Sequence, residues 1–122
     1  MISKKTLKEI DEDIVGIIID INKLFFVKQT YASCSGHIED PRNCPYVDIE
    51  YKLCEHNLEY IEKFDRRLQE IDGCAKRIRK GRIHHYAFVW DGTKDNLEYI
   101  WTSVSRTASS FLRIFEPKHN CP

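Results

Sequence analysis

Two cysteines and a histidine stand within one polar segment, residues 33–44, of sequence SCSGHIEDPRNC. Thiolates and imidazoles are common Zn²⁺ ligands, and Cys34 and His37 have a two-residue spacing that suits one ion. Cys44 is the third candidate ligand, and two more stand at the far end of the next predicted strand: Cys54 and His56. The chain has no CxxC or HxxxH pair that would strengthen the prediction of a metal site. A metal site at Cys34, His37 and Cys44 is therefore an alternative interpretation and not the main one.

The same residue types would also serve thiol catalysis. A catalytic cysteine needs a lowered pKa and a base within hydrogen-bond reach. Cys34 would find that base in His37, His84 or His85. A free cysteine is more often a small buried hydrophobe, and we expect that state for two others: Cys54 and Cys74.

His84 and His85 are neighbours in a predicted strand. Successive strand side chains point to opposite faces of a sheet, so only one of the two can join a given site. A buried histidine with a hydrogen-bond partner and a purely structural role is the alternative for either.

A basic run lies at residues 74–82, CAKRIRKGR. Its five cations are candidates for binding the phosphates of a nucleic acid: Lys76, Arg77, Arg79, Lys80 and Arg82. Cations in the last turn of a helix also interact favourably with its dipole, which is the structural alternative. Because 19 basic residues balance 19 acidic ones, we expect at most a local phosphate-binding patch.

The composition is that of one folded domain spanning 1–122. Hydrophobic residues make up 42% and charged residues 31% of the chain, as in ordinary globular proteins. No apolar run is long enough to cross a bilayer, and the charged start MISKKTLKEIDED does not resemble a secretory signal. We therefore expect a cytoplasmic protein whose five cysteines are free thiols, ligands or catalysts.

Hydrophobic periodicity predicts the first three elements. A Thr6–Glu9 capping box and apolar residues at three- and four-residue steps predict a helix over 6–23. Aromatic and β-branched residues predict a strand over 24–33. Strict alternation over 46–53 predicts a strand with one buried face and one wet face. Its wet face would carry Asp48 and Glu50.

Three further elements complete the predicted fold. Apolar residues at helical spacing predict a long helix over 57–80 that ends at Gly81. Residues 83–90, IHHYAFVW, predict a central strand, and a stripe from Leu97 to Phe115 predicts a last helix. The order α-β-β-α-β-α indicates a two-layer α/β or α+β domain with a small mixed sheet. A right-handed crossover is expected if the second and third strands are parallel.

Several common catalytic motifs are absent from the sequence. It contains no Walker A loop, no strand-GxGxxG-helix unit and no GxSxG elbow. These absences argue against P-loop nucleotidases, standard dinucleotide or Rossmann methyltransferase sites, and α/β-hydrolases.

The segment INKLFFVKQTYASCSGHI resembles the signature of the wybutosine-synthesis methyltransferases, an archaeal and eukaryotic family that methylates a tricyclic guanosine derivative in phenylalanine tRNA. The matching residues are Ile21, Asn22 and Leu24 at the helix end, Thr30 in the strand, and Ser33, Cys34, Ser35 and Gly36 in the loop. His37 departs from the family's arginine, which would make a contact with phosphate or carboxylate weaker and pH-dependent. The family's later conserved positions have no clear counterpart in this chain.

The resemblance implies a tRNA-modifying enzyme that uses S-adenosylmethionine. Ser33, Ser35 and the backbone around Gly36 would hydrogen-bond the modified base or the cofactor, with Cys34 in a supporting role. The basic run of residues 76–82 would hold the tRNA backbone. Two alternatives stay open: a relative of the same fold that binds RNA or another ligand without catalysis, and a small metal-stabilised or oligomeric interaction protein.

Overall fold

A computed structural model describes residues 14–31, 44–71, 73–79, 84–91 and 96–114. Three α-helices lie in this part of the chain: α1 (Val15–Asn22), α2 (Leu58–Gln69) and α3 (Leu97–Leu112). Four strands accompany them: β1 (Val27–Thr30), β2 (Tyr46–Tyr51), β3 (Cys74–Ile78) and β4 (His85–Trp90). A 3-10 turn, Glu55–Asn57, leads into α2.

The four strands form one antiparallel sheet in the order β1-β2-β4-β3. Ile49 of β2 pairs with Tyr86 of β4, and Val47 pairs with Phe88. Paired residues share a face of the sheet, so these side chains all point to one side. The described helices pack on that side, which we call the helix face, and the opposite side is the far face.

Aromatic side chains dominate the core between the helix face and the helices. Phe26, Phe64 of α2 and Phe111 of α3 meet edge to face, with ring centroids 5.4 to 5.8 Å apart. Trp90 of β4 meets Trp101 of α3 at 6.0 Å. Fully burying such a side chain contributes about 1.5–3 kcal/mol. These contacts join the sheet to α2 and α3.

The predicted mixed α+β class is confirmed, as are most of its elements. The helix at the start of the described chain, strand β2, the central strand β4 and the last helix all lie within their predicted segments. The capping box Thr6–Glu9 lies outside the described residues. The first strand is shorter than predicted, because residues 23–26 form turns that bring the chain from α1 into β1.

The long helix predicted over 57–80 is wrong in its second half. Helix α2 ends at Gln69, and Cys74–Ile78 form the edge strand β3. Gly73 lies between them with a φ of +72°, a left-handed conformation that glycine adopts readily. Ile78 fits a helical stripe by spacing, but its side chain is 76% exposed. The extra strand makes the sheet wholly antiparallel and removes the expected parallel crossover.

Strand β2 alternates as predicted, but its far-face side chains are not all exposed to solvent. Val47, Ile49 and Tyr51 are buried on the helix face. Asp48 points to the far face and is only 4% exposed. Its burial requires polar partners, and His85 and Arg79 are two of them.

None of the described helices is both long enough and apolar enough to cross a membrane.

Candidate functional site

The two neighbouring histidines lie at separate clusters. His84 lines a cleft on the helix face, whereas His85 is the first residue of β4 and is 4% exposed on the far face. His84 has a φ of +62°, which is uncommon for a residue with a Cβ but several-fold less rare for histidine. The prediction that only one histidine can join a given site agrees with this placement.

On the far face, Asp48 of β2 binds His85 and Arg79. The Asp48 Oδ1 atom contacts His85 Nε2, and Arg79 Nε lies 3.2 Å from Asp48 Oδ2. Both side chains of the Asp48–His85 pair are buried, whereas the Arg79 side chain is 53% exposed. The carboxylate is therefore compensated from two sides, as a buried charge requires.

The other ring nitrogen of His85, Nδ1, is buried and has no hydrogen-bond partner among the described residues. If Nε2 donates its proton to Asp48, Nδ1 carries a lone pair and can accept a proton or a hydrogen bond. A carboxylate that fixes the tautomer of an imidazole in this way is a common arrangement for a general base. In that tautomer the pair has the residue types of a general base, with its lone pair on a buried atom.

Tyr31, the residue after β1, extends the far-face cluster. Its ring stacks on that of His85, with centroids 4.4 Å apart and planes 24° apart. Its hydroxyl donates to Glu50 Oε1 at 2.6 Å, and Lys28 lies 3.7 Å from the same carboxylate. Tyr31 is the last described residue before the SCSGH segment. The predicted site residues of that segment lie outside the described residues: Ser33, Cys34, Ser35, Gly36 and His37.

Two residues that carry the family resemblance hold the end of β1 in place. Asn22, the last residue of α1, donates through Nδ2 to Thr30 Oγ1, and its Oδ1 accepts from the Thr30 backbone N–H at 3.2 Å. Thr30 is fully buried. These hydrogen bonds fix the strand that leads in sequence to the SCSG segment.

On the helix face, α2 and the ends of β2, β3 and β4 enclose a cleft of about 380 Å³. Its lining combines an apolar set with a set of charged and polar side chains. The apolar set is Leu53, Leu58 and Ile61, and the polar set is Tyr51, Glu62, Asp65, Arg66, Gln69, Lys76, His84 and Tyr86.

Asp65 lies at the base of the cleft and is 7% exposed. It accepts from Lys76 Nζ at 2.8 Å, from the Tyr51 hydroxyl at 3.3 Å and from the Gln69 amide. Burial and the nearby Asp65 carboxylate raise the pKa of Tyr51 well above its usual value. The Lys76 ammonium also lies 3.9 Å from the centre of the Tyr86 ring, a distance that gives a cation–π attraction.

Burial and Asp65 also raise the pKa of Cys74 to about 11. A thiol with so high a pKa is protonated at neutral pH and is a poor nucleophile. Cys74 is half-buried in β3, so the prediction that it lies on a helix is wrong.

The basic run is divided between the two faces. Lys76 points to the helix face, while Arg77 and Arg79 point to the far face. Because this run forms a strand and not a helix end, the helix-dipole interpretation no longer applies to these three residues. Arg77 is exposed and makes no ion pair within the described part of the chain. Lys80 and Arg82 lie outside it.

The metal alternative finds no support among the described residues. They contain no group of three or more His, Cys, Asp or Glu side chains that could hold an ion. Cys44 is a free, partly buried thiol, while Cys34 and His37 lie outside the described ranges. Cys54 is disulfide-bonded, contrary to the expectation that the cysteines are free.

Sequence reasoning missed both buried carboxylates. The alternation of β2 predicts a wet face for Asp48, and no sequence motif singles out Asp65. One signal was available for Asp65: it follows Phe64 and precedes Leu68 by three residues, which places it on the buried side of α2. No comparable signal marks Asp48, because its burial depends on what covers the far face.

The fold and the two clusters define a two-layer α+β protein with one polar cluster on each side of an antiparallel sheet. No family model matches the chain, and neither a curated protein nor a solved structure matches it.

Proposed function

We propose that this protein is a tRNA-modifying, S-adenosylmethionine-dependent methyltransferase-like protein whose far sheet face contacts the RNA. One observation carries the proposal: Arg77, Arg79 and His85 share the far face with Tyr31. Tyr31 directly follows β1, which leads in sequence into the SCSG segment, the part of the chain that resembles the wybutosine-synthesis methyltransferases.

The cations of the far face suit contacts with a phosphate backbone. Arg77 is exposed and its guanidinium is not engaged by a described carboxylate. Arg79 is half-exposed even though its Nε atom contacts Asp48. Guanidinium groups present several N–H donors in one plane, so Arg79 can bind Asp48 and a phosphate together. A local patch of this size agrees with a chain of zero net charge.

The Asp48–His85 pair would act on the proton of the target nitrogen. Methylating an N–H group leaves a proton that must be removed, and Nδ1 of His85, which is buried in the absence of RNA, would accept it if RNA binding uncovers this atom. Asp48 would hold the imidazole in the tautomer that exposes this lone pair. Arg79 would hold the Asp48 carboxylate through its other oxygen atom.

S-adenosylmethionine would supply the methyl group when bound. The described far-face carboxylates do not fit its ammonium or ribose hydroxyls, because Asp48 and Glu50 are already engaged by His85, Arg79, Tyr31 and Lys28. The resemblance assigns cofactor contacts to Ser33–Gly36, which lie outside the described residues.

The RNA contact is tested by measuring the affinity for phenylalanine tRNA at several salt concentrations. We expect Arg77→Ala to weaken binding and to lower the slope of log affinity against log salt by about 1. Arg67→Ala removes an exposed arginine of α2, on the other side of the molecule, and should leave the slope unchanged. Equal effects of the two variants would contradict the far-face assignment.

The reaction is tested with labelled S-adenosylmethionine and tRNA from cells that lack the modification. We expect methyl transfer in the wild type and a loss of about 10²-fold or more in His85→Gln at neutral pH. Circular dichroism checks that this variant is folded. RNA binding without methyl transfer in the wild type would instead identify a non-catalytic relative of the same fold.

A further inference from the structure

We infer that the helix-face cleft binds an α-amino acid with a large apolar side chain. This inference does not depend on the proposed RNA function, because the cleft and the far-face cluster lie on opposite sides of the sheet. Three features of the lining lead to it: side chains of both charge signs, an exposed apolar wall and a strained residue at the cleft.

The charges of the lining match a zwitterion. Arg66 and Lys76 can take a carboxylate, and Glu62 and Asp65 can take an ammonium. The two signs balance, so an ion of one sign alone would meet as much repulsion as attraction. Lys76 uses one of its three donors on Asp65 and keeps two. Asp65 accepts three hydrogen bonds and has room for a fourth.

The apolar residues of the lining are unusually open to solvent. Leu53 is 46% exposed and Leu58 is 44% exposed, and Ile61 stands beside them in the lining. A ligand with an apolar body would cover these side chains and gain the free energy of removing them from water. The cleft volume of about 380 Å³ lies within the usual range for small-molecule sites, about 300–1,000 Å³.

His84 supplies the third feature. Its left-handed backbone, with φ +62°, is costly for a residue with a Cβ, and such conformations cluster at ligand sites. This conformation occurs at the residue that immediately precedes β4 and lines the cleft. The imidazole adds a polar group that can donate to the carboxylate of the ligand.

The test is a titration of the ¹⁵N-labelled full chain with L-phenylalanine, followed by amide chemical shifts. We expect shift changes centred on Tyr51, Lys76 and Tyr86 at millimolar ligand. Two probes each lack one charge: 3-phenylpropanoate lacks the ammonium and 2-phenylethylamine lacks the carboxylate. Each should bind about tenfold more weakly than L-phenylalanine.

Variants of exposed residues locate the contacts without disturbing the core. Arg66→Ala should weaken L-phenylalanine about tenfold, while Arg67→Ala, which changes the neighbouring arginine outside the lining, should not. Glu62→Gln should weaken L-phenylalanine but leave 3-phenylpropanoate unaffected. An absence of shift changes at the cleft would overturn the inference. Equal affinity for 3-phenylpropanoate and L-phenylalanine would overturn the zwitterion assignment.

Discussion

His84 and His85 are consecutive in the chain, yet one lines the helix-face cleft and the other is bound to Asp48 on the far face. The reversal occurs over one residue because the left-handed backbone at His84 precedes an extended strand that begins at His85. Each cluster can therefore be altered without removing a side chain of the other. This separation makes the two proposals independently testable.

The strain at His84 can be measured with two substitutions. We expect His84→Ala to be less stable than His84→Gly by about 1 kcal/mol, because glycine adopts a positive φ without the cost that a Cβ imposes. Both variants lose the imidazole, so their difference isolates the backbone term. Urea unfolding provides the measurement. A His84→Ala protein as stable as His84→Gly would show that the backbone at this position is unstrained.

The Asn22–Thr30 pair should contribute to stability as well as to the position of β1. Asn22→Ala removes hydrogen bonds to both the side chain and the backbone of Thr30. We expect a loss of about 1–3 kcal/mol, since Thr30 is fully buried and its groups would be left unpaired. Thr30→Val keeps the shape of the side chain, and the double variant completes a thermodynamic cycle. Additive losses, with no coupling energy, would show that the two residues do not interact.

Two glycines should respond in opposite directions to replacement by alanine. Gly73→Ala should destabilise by about 1–2 kcal/mol: its φ is positive, and a Cβ there would lie 3.1 Å from Asp91 Cβ. Gly16→Ala should stabilise by about 0.5–1 kcal/mol, because Gly16 lies in α1 with nothing within 4 Å of an added Cβ. Thermal unfolding of both variants checks the pair. Stabilisation by Gly73→Ala would contradict the turn that separates α2 from β3.

Stability should fall in alkaline solution. The pKa of Cys74 is raised from 9.0 to about 11 and that of Tyr51 lies well above 10 in the folded protein. As the pH rises through 9 and 10, these groups lose their protons in the unfolded chain first, so the unfolded state binds fewer protons and the free energy of unfolding decreases. Below pH 9 the contribution is fully present.

The variants Cys74→Ala and Tyr51→Phe test this alkaline dependence. Each should make the decline in the free energy of unfolding above pH 9 shallower than in the wild type. Urea unfolding at a series of pH values provides the measurement. The same slope in both variants and in the wild type would rule out these two groups as its source.

Local patterns were sufficient for the elements whose apolar residues have one clear period. Strand β2 alternates with period two, and α3 carries an apolar stripe with helical spacing, so both were predicted close to their observed bounds. The segment 70–80 has no such clear period. Ala75 and Ile78 continue the helical spacing of α2. Cys74, Lys76 and Ile78 are two residues apart, which is the spacing of one face of a strand. Only the turn at Gly73 decides between the helix and the strand.

By itself, the sequence determined the α+β class and the single strongly alternating strand β2, because both depend on the local spacing of side chains. Tertiary structure alone decided the partners of the charged residues. Asp48 pairs with His85 across 37 positions of the chain, and the Asp65–Lys76 ion pair exists because the chain turns back after α2. A carboxylate can remain charged and buried only where such partners converge, and convergence between distant residues is set by strand order and not by local spacing.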